Sequence, residues 1–172
     1  MFIHEEVGLS HLVLRGNQGD PAFLSGVRSA LGLGLPVTAG SSEQNDETRI
    51  YWLAPDEWLI IGEAGKAGDI EEALRQQLEG HYAVTDVSGA QTLVTLSGPN
   101  AMQVLKKSTP YDVDMRHFPA GKCVGTVFAR TQIQMRRVSE DSVELIIRRS
   151  FADYLWLWLV DASQEFGLAY TS

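Results

Sequence analysis

Four histidines, one cysteine and an Asp-x-Ser step are the side chains of this 172-residue chain with the clearest potential for catalysis. His4, His11, His81 and His117 stand far apart, and no pair has HxH or HxxxH spacing, so a metal site would need the fold to assemble it. They are expected to be surface or hydrogen-bonded structural residues. Cys123 lies in Gly121-Lys122-Cys123-Val124-Gly125, where a neighbouring lysine would favour a thiolate, yet it opens an apolar strand and is expected to be buried. Ser88 in Asp86-Val87-Ser88-Gly89 resembles part of a nucleophile elbow but fails the G-x-S-x-G pattern, because position 86 is Asp. Gly32-Leu33-Gly34 follows a helix where a phosphate cradle would open one, and Gly65 to Gly68 has a lysine without GKS/T. The Ser97-Gly98-Pro99 turn could offer backbone N–H groups to an anion, but no second element supports it. The expectation is no catalytic, cofactor-binding or metal-binding residue in this chain.

The aromatic residues carry a different signal. Trp52 and Trp58 flank Ala54-Pro55-Asp56, whereas Trp156 and Trp158 belong to the closing segment SFADYLWLWLVDASQEF, Ser150 to Phe166. That segment reads as one helix, with Ser150 as N-cap and Asp153 three residues on as a capping-box variant. At 100° per residue, Phe151, Leu155, Trp158, Leu159, Ala162 and Phe166 share one apolar arc. Phe151, Leu155, Trp158 and Leu159 are expected in the core. Ala152, Trp156 and Val160 lie well round from that arc, with Leu157 further on, and these four are expected to meet another chain.

Elements must position these residues. Leu9 to Arg15 alternates as a strand. Asp20-Pro21 opens a helix with Phe23, Leu24, Val27 and Leu31 on one side, and Gly32, Gly34 and Pro36 stop it. Gly40 to Glu47 reads as an exposed loop between paired strands, and Thr48–Leu53 and Glu57–Gly62 as a strand pair about a tight turn. Asp69 with Glu72 is expected to cap a helix whose stripe is Ile70, Ala73, Leu74 and Leu78. Tyr82–Val87 and Gln91–Ser97 read as a second strand pair, joined through Ser88-Gly89-Ala90. A helix with Ala101, Met102, Val104 and Leu105 on its apolar side follows Gly98-Pro99-Asn100. After an irregular stretch, Pro110 to Gly121, come three strands, Cys123–Ala129, Gln132–Val138 and Ser142–Arg148. The predicted class is α+β, two small related lobes of mainly antiparallel sheet covered by helices, 1–80 and 81–172, expected to form one compact unit.

Composition narrows the partners. At 44% hydrophobic and 21% charged the chain is ordinary globular material, and a net charge of −8 argues against nucleic acid or an anionic membrane surface. The basic doublets Lys106-Lys107, Arg136-Arg137 and Arg148-Arg149 are short, and one cysteine excludes an internal disulfide. The longest apolar run, Tyr154 to Val160, is too short to span a bilayer. MFIHEEVGLS lacks a basic and apolar leader, so a cytoplasmic location is expected.

Five motifs, in order, carry a family resemblance: Pro55-Asp56-Glu57-Trp58-Leu59, Asp86-Val87-Ser88, Leu96-Ser97-Gly98-Pro99, Phe118-Pro119-x-Gly121, and Arg149-Ser150-Phe151-Ala152 with the following Tyr-Leu-x-x-Trp-Leu. Together they resemble the gamma subunit of heterotetrameric sarcosine oxidase. The second half is more distantly similar to the first domain of the aminomethyltransferases, so an aminomethyltransferase-like fold is implied. The resemblance implies a non-catalytic subunit assembling with the alpha, beta and delta subunits, chiefly alpha, in an enzyme that converts sarcosine to glycine with oxygen and tetrahydrofolate. It places FAD, FMN, NAD and folate in alpha and beta and zinc in delta, with no cofactor in this chain. The alternative is an independent folate-binding or aminomethyltransferase-like domain. Against it, Thr131 to Arg137 (TQIQMRR), which matches the strand pair carrying acidic residues in the aminomethyltransferases, has no carboxylate.

Overall fold

The computed structural model describes residues 1–171. In chain order the elements are β1 (Phe2–Glu6), β2 (Ser10–Arg15), α1 (Pro21–Leu31), β3 (Ser42–Gln44), β4 (Thr48–Ala54), β5 (Glu57–Gly62), α2 (Ala67–Gln77), β6 (Ala83–Asp86), β7 (Gln91–Ser97), α3 (Ala101–Ser108), β8 (Cys123–Phe128), β9 (Thr131–Ser139), β10 (Ser142–Arg148), α4 (Ala152–Ser163) and β11 (Ala169–Thr171). They form two contact units, one of Gly8–Ser88 and one of Met1–Val7 with Gly89–Ser172. The class is the α+β arrangement of mainly antiparallel sheets with helices.

The Gly8–Ser88 unit is an antiparallel sheet in the order β3-β4-β5-β2-β6. α1 and α2 bury Phe23, Val27 and Leu74 against Leu12, Leu14, Ile50, Trp58 and Ile60 of the sheet. The Trp58 indole N–H donates to the Pro36 carbonyl at 2.8 Å, so this fully buried ring leaves no polar atom unsatisfied. Asp20 caps α1 by accepting from the Ala22 N–H at 2.9 Å, and Gly32 ends it at φ 63°. α2 differs from its expected start. It begins at Ala67, with Lys66 at the cap position, and Asp69 lies inside the first turn paired with Lys66 at 2.9 Å. A carboxylate there still favours the positive end of the helix dipole, so the acidic signal was genuine and its position three residues off. The expected loop from Gly40 to Glu47 contains β3, whose polar residues pair with β4 as an edge strand needing no apolar face.

The other unit is a sheet in the order β11-β1-β7-β10-β9-β8, antiparallel except for β1 with β11. Its core joins Ile3, Leu96, Met135 and Leu145 of the sheet to Val104 and Leu105 of α3 and Leu155 and Leu159 of α4. β6 and β7 are not the strand pair read from sequence. β6 pairs with β2 and β7 with β1 and β10, so the two strands belong to different sheets. The contact boundary consequently falls near Ser88, with the β1 segment in the later unit, where the sequence suggested 80/81. β1 and β11 carried no clear alternation and were not anticipated.

The irregular stretch from Pro110 to Gly121 is fixed by its contacts. Val113 and Phe118 are buried in the core, and Arg137 donates to the carbonyls of Val113 (2.9 Å), Ser139 (2.7 Å) and Glu140 (2.5 Å). Burial pulls the Arg137 guanidinium below its ordinary pKa. Arg137→Met should leave buried carbonyl groups unsatisfied and cost about 1–3 kcal/mol for each that finds no water, measurable by urea unfolding. At Gly26 an added Cβ would lie 2.6 Å from the Gln77 carbonyl oxygen and 2.8 Å from Leu78 Cδ2. Gly26→Ala should therefore destabilise by about 1–3 kcal/mol in the same assay, despite the better helix propensity of alanine. The Arg116 guanidinium and backbone N–H hold the Asp114 carboxyl at about 2, below its ordinary 3.8. A depressed folded value means a contribution present above pH 3.8 and lost as pH falls through about 2, so a carboxyl NMR titration should give a midpoint near 2.

Candidate functional interface on the closing helix

Most of the residues with chemical potential make contacts within the fold, and His81 is exposed. Ser88 Oγ donates to Asp86 Oδ1 at 2.5 Å and accepts from the His11 backbone N–H at 3.0 Å, fastening the end of β6 beside β2. The Ser88 hydroxyl and N–H hold the Asp86 carboxyl below its ordinary range. His4 meets Thr171 at 3.2 Å, His117 meets Asp112 at 2.6 Å, and His11 is buried. Cys123 is buried in β8. Among the described residues no group of three or more His, Cys, Asp or Glu is placed to hold a metal ion, and no helix is long and apolar enough to cross a membrane.

The arginines of β9 are also engaged. Arg136 pairs with Glu144 across β9 and β10 at 2.7 Å, with both side chains 6% exposed, and Arg137 holds the three carbonyls described above. The TQIQMRR strand therefore presents neither a carboxylate nor a cationic surface; its charges serve internal contacts.

What remains is the closing helix. Its start differs from the sequence reading: Arg149–Phe151 forms a 3-10 turn, Phe151 occupies the cap position of α4, and no side chain caps the helix, Ser150 included. The Arg149 N–H bonds to the Ala90 carbonyl at 2.9 Å, which ties the start of the turn to the residue before β7. Asp153 remains in the first turn, where it complements the dipole.

Leu155 and Leu159 are buried on the sheet, and Trp158, Ala162 and Phe166 pack partly buried beside them. The Trp158 indole N–H donates to Ser108 Oγ of α3 at 3.0 Å. Phe151 is a correction: it is exposed, because the 3-10 turn rotates it away from the arc that a continuous helix would have given it.

Of the four residues assigned to another chain, Leu157 is 67% exposed and Trp156 37%, while Ala152 and Val160 are half-buried. The Trp156 ring meets Tyr170 of β11 edge to face, with centroids 4.9 Å apart. Phe151, Tyr154 and Tyr170 are also exposed and extend the apolar surface. The sequence reading missed Tyr170 because β11 was not foreseen. It missed Tyr154 although its i−3 spacing from Leu157 was available as a signal.

Beside this surface lies a cleft of about 400 Å³. Ala152, Asp153, Trp156 and Leu159 of α4 form one wall, Glu5, Thr92, Val94 and Ile147 the sheet side, and Tyr170 the edge. The two faces of α4 predict different consequences of truncation. Leu155→Ala should cost about 2–5 kcal/mol and Leu157→Ala no more than about 0.5 kcal/mol, compared by urea unfolding of the isolated chain.

Comparison with known proteins identifies relatives. The family model described as sarcosine oxidase, gamma subunit family, matches residues 15–165. Sarcosine oxidase subunit gamma of Corynebacterium sp. (strain U-96) is 33% identical over 170 residues, covering 97% of this chain and 81% of that protein. In solved structures, a chain of the heterotetrameric sarcosine oxidase from Corynebacterium sp. U-96, in complex with pyrrole 2-carboxylate, matches with a TM-score of 0.86 at 31% identity, over 99% of this chain and 87% of that one. The glycine cleavage system aminomethyltransferase T from Bartonella henselae matches with a TM-score of 0.69 at 15% identity, over 99% of this chain and 47% of that one. This last likeness is one of fold, and it runs through both units where the sequence suggested the second half alone.

Proposed function

From the premise that the chain belongs to the sarcosine oxidase gamma subunit family, we propose that it is the non-catalytic gamma subunit of a heterotetrameric sarcosine oxidase and assembles with the alpha, beta and delta subunits in the cytoplasm. Its work is to stabilise the large flavoprotein alpha subunit. In this reading FAD, FMN, NAD and folate belong to alpha and beta and zinc to delta, with no cofactor in this chain. The reaction of the whole enzyme is oxidative demethylation of sarcosine to glycine with oxygen and tetrahydrofolate.

The observation that carries the reading is the exposed apolar face of α4, with Leu157 67% exposed at its centre. Contiguous aromatic and aliphatic surface of this kind favours a protein partner, since covering it removes apolar area from water. Trp156 and Leu157 are the anchors of the proposed contact with alpha, and Ala152 and Val160 form its flank. The Ser88, Asp86 and Arg137 side chains support the reading in another way: their hydrogen-bonding capacity is spent on strand and loop contacts.

Coexpression of the chain with the other subunits tests the proposal. Leu157→Asp and Trp156→Ala should each reduce recovery of alpha by about tenfold or more, while the isolated variants keep a cooperative unfolding transition. Undiminished recovery, or loss of the isolated fold in Leu157→Asp, contradicts it. Calorimetry with tetrahydrofolate separates the alternative domain function: a clear rise in Tm of the isolated chain at modest ligand excess favours folate binding here.

A further inference from the structure

The cleft beside α4 carries more than apolar surface. Glu5 of β1 projects onto its sheet side and accepts from the Thr92 hydroxyl at 2.7 Å. Asp153 stands on the helical wall one turn before Trp156. Neither carboxylate forms an ion pair among the described residues. A hydrogen bond from Thr92 fixes the Glu5 carboxylate but leaves most of its acceptor sites and all of its charge uncompensated. Next to the two acids, Trp156 and Tyr170 meet at an interplanar angle of 66°. An edge-to-face pair presents the ring faces that attract a cation.

We propose that this cleft receives an arginine side chain of a partner subunit, its guanidinium held by Glu5 and Asp153 and stacked against Trp156. The proposal rests on the docking role of α4 argued above and names the chemistry of the group that enters. A guanidinium suits these walls better than an ammonium: it is flat, weakly hydrated, forks onto carboxylates and stacks on aromatic rings. The cleft, about 400 Å³, has room for such a side chain. The net charge of −8 also draws a cationic partner surface toward this chain.

The test measures association of this chain with the assembled remaining subunits at about 50 mM and about 500 mM NaCl. The combined variant Glu5→Gln with Asp153→Asn should bind about tenfold more weakly than wild type at low salt and lose most of the salt dependence. If it binds like wild type with the same salt dependence while Leu157→Asp fails to bind, the arginine proposal is wrong and the docking reading stands. If both variants bind like wild type, both readings fall. A second measurement needs no variant. Ethylguanidinium chloride should weaken wild-type association more than sodium chloride at equal ionic strength, and equal effects of the two salts overturn the proposal.

Discussion

A helix can lay only one face on a sheet, and α4 has apolar residues on more than one. Burying Leu155 and Leu159 in the core orients the helix, and that orientation forces Leu157 and much of Trp156 outward. Rotation cannot resolve the conflict. Turning Leu157 inward would take Leu155 or Leu159 out and forfeit about 1.5–3 kcal/mol of burial for each side chain. The exposed face is thus a consequence of how the core is built, and its position is fixed by the same contacts that stabilise the fold.

The polar groups obey a complementary constraint. Arg137, Arg136 with Glu144, and Ser88 with Asp86 each sit where a backbone or a charge would otherwise lack a partner. Side chains that resemble catalytic groups in the sequence therefore act as fasteners, pinning the loop from 110 to 121, the β9–β10 pair and the end of β6. The aminomethyltransferase-like fold is kept, and its internal hydrogen-bond capacity is directed to holding the chain in shape.

The sequence disclosed the elements with a strong local signature. Asp20-Pro21 and Gly32 bracket α1, alternation marks β2, and runs rich in Trp, Tyr and Ile mark β4 and β5. It also disclosed the two-faced character of the last helix, including the outward position of Trp156 and Leu157. What it could not disclose depends on long-range pairing. β1 and β11 are short, and they become strands only because β7 and each other supply hydrogen-bond partners far away in the chain. Tyr170 and Glu5 enter the cleft by that route, so the cleft had no local signal. Phe151 was misassigned because the segment was read as one continuous helix, whereas Arg149–Phe151 forms a separate 3-10 turn ahead of α4.

The central claim is that the outer face of α4 is covered by another subunit. Photo-crosslinking tests it most directly, with a benzophenone amino acid replacing Leu157 in the assembled complex and a second placed at Val37, an exposed position in the Gly8–Ser88 unit. The account predicts a crosslink from position 157 to the large flavoprotein subunit at a yield well above that from position 37. A complex that assembles fully yet gives no crosslink between subunits from position 157 contradicts it.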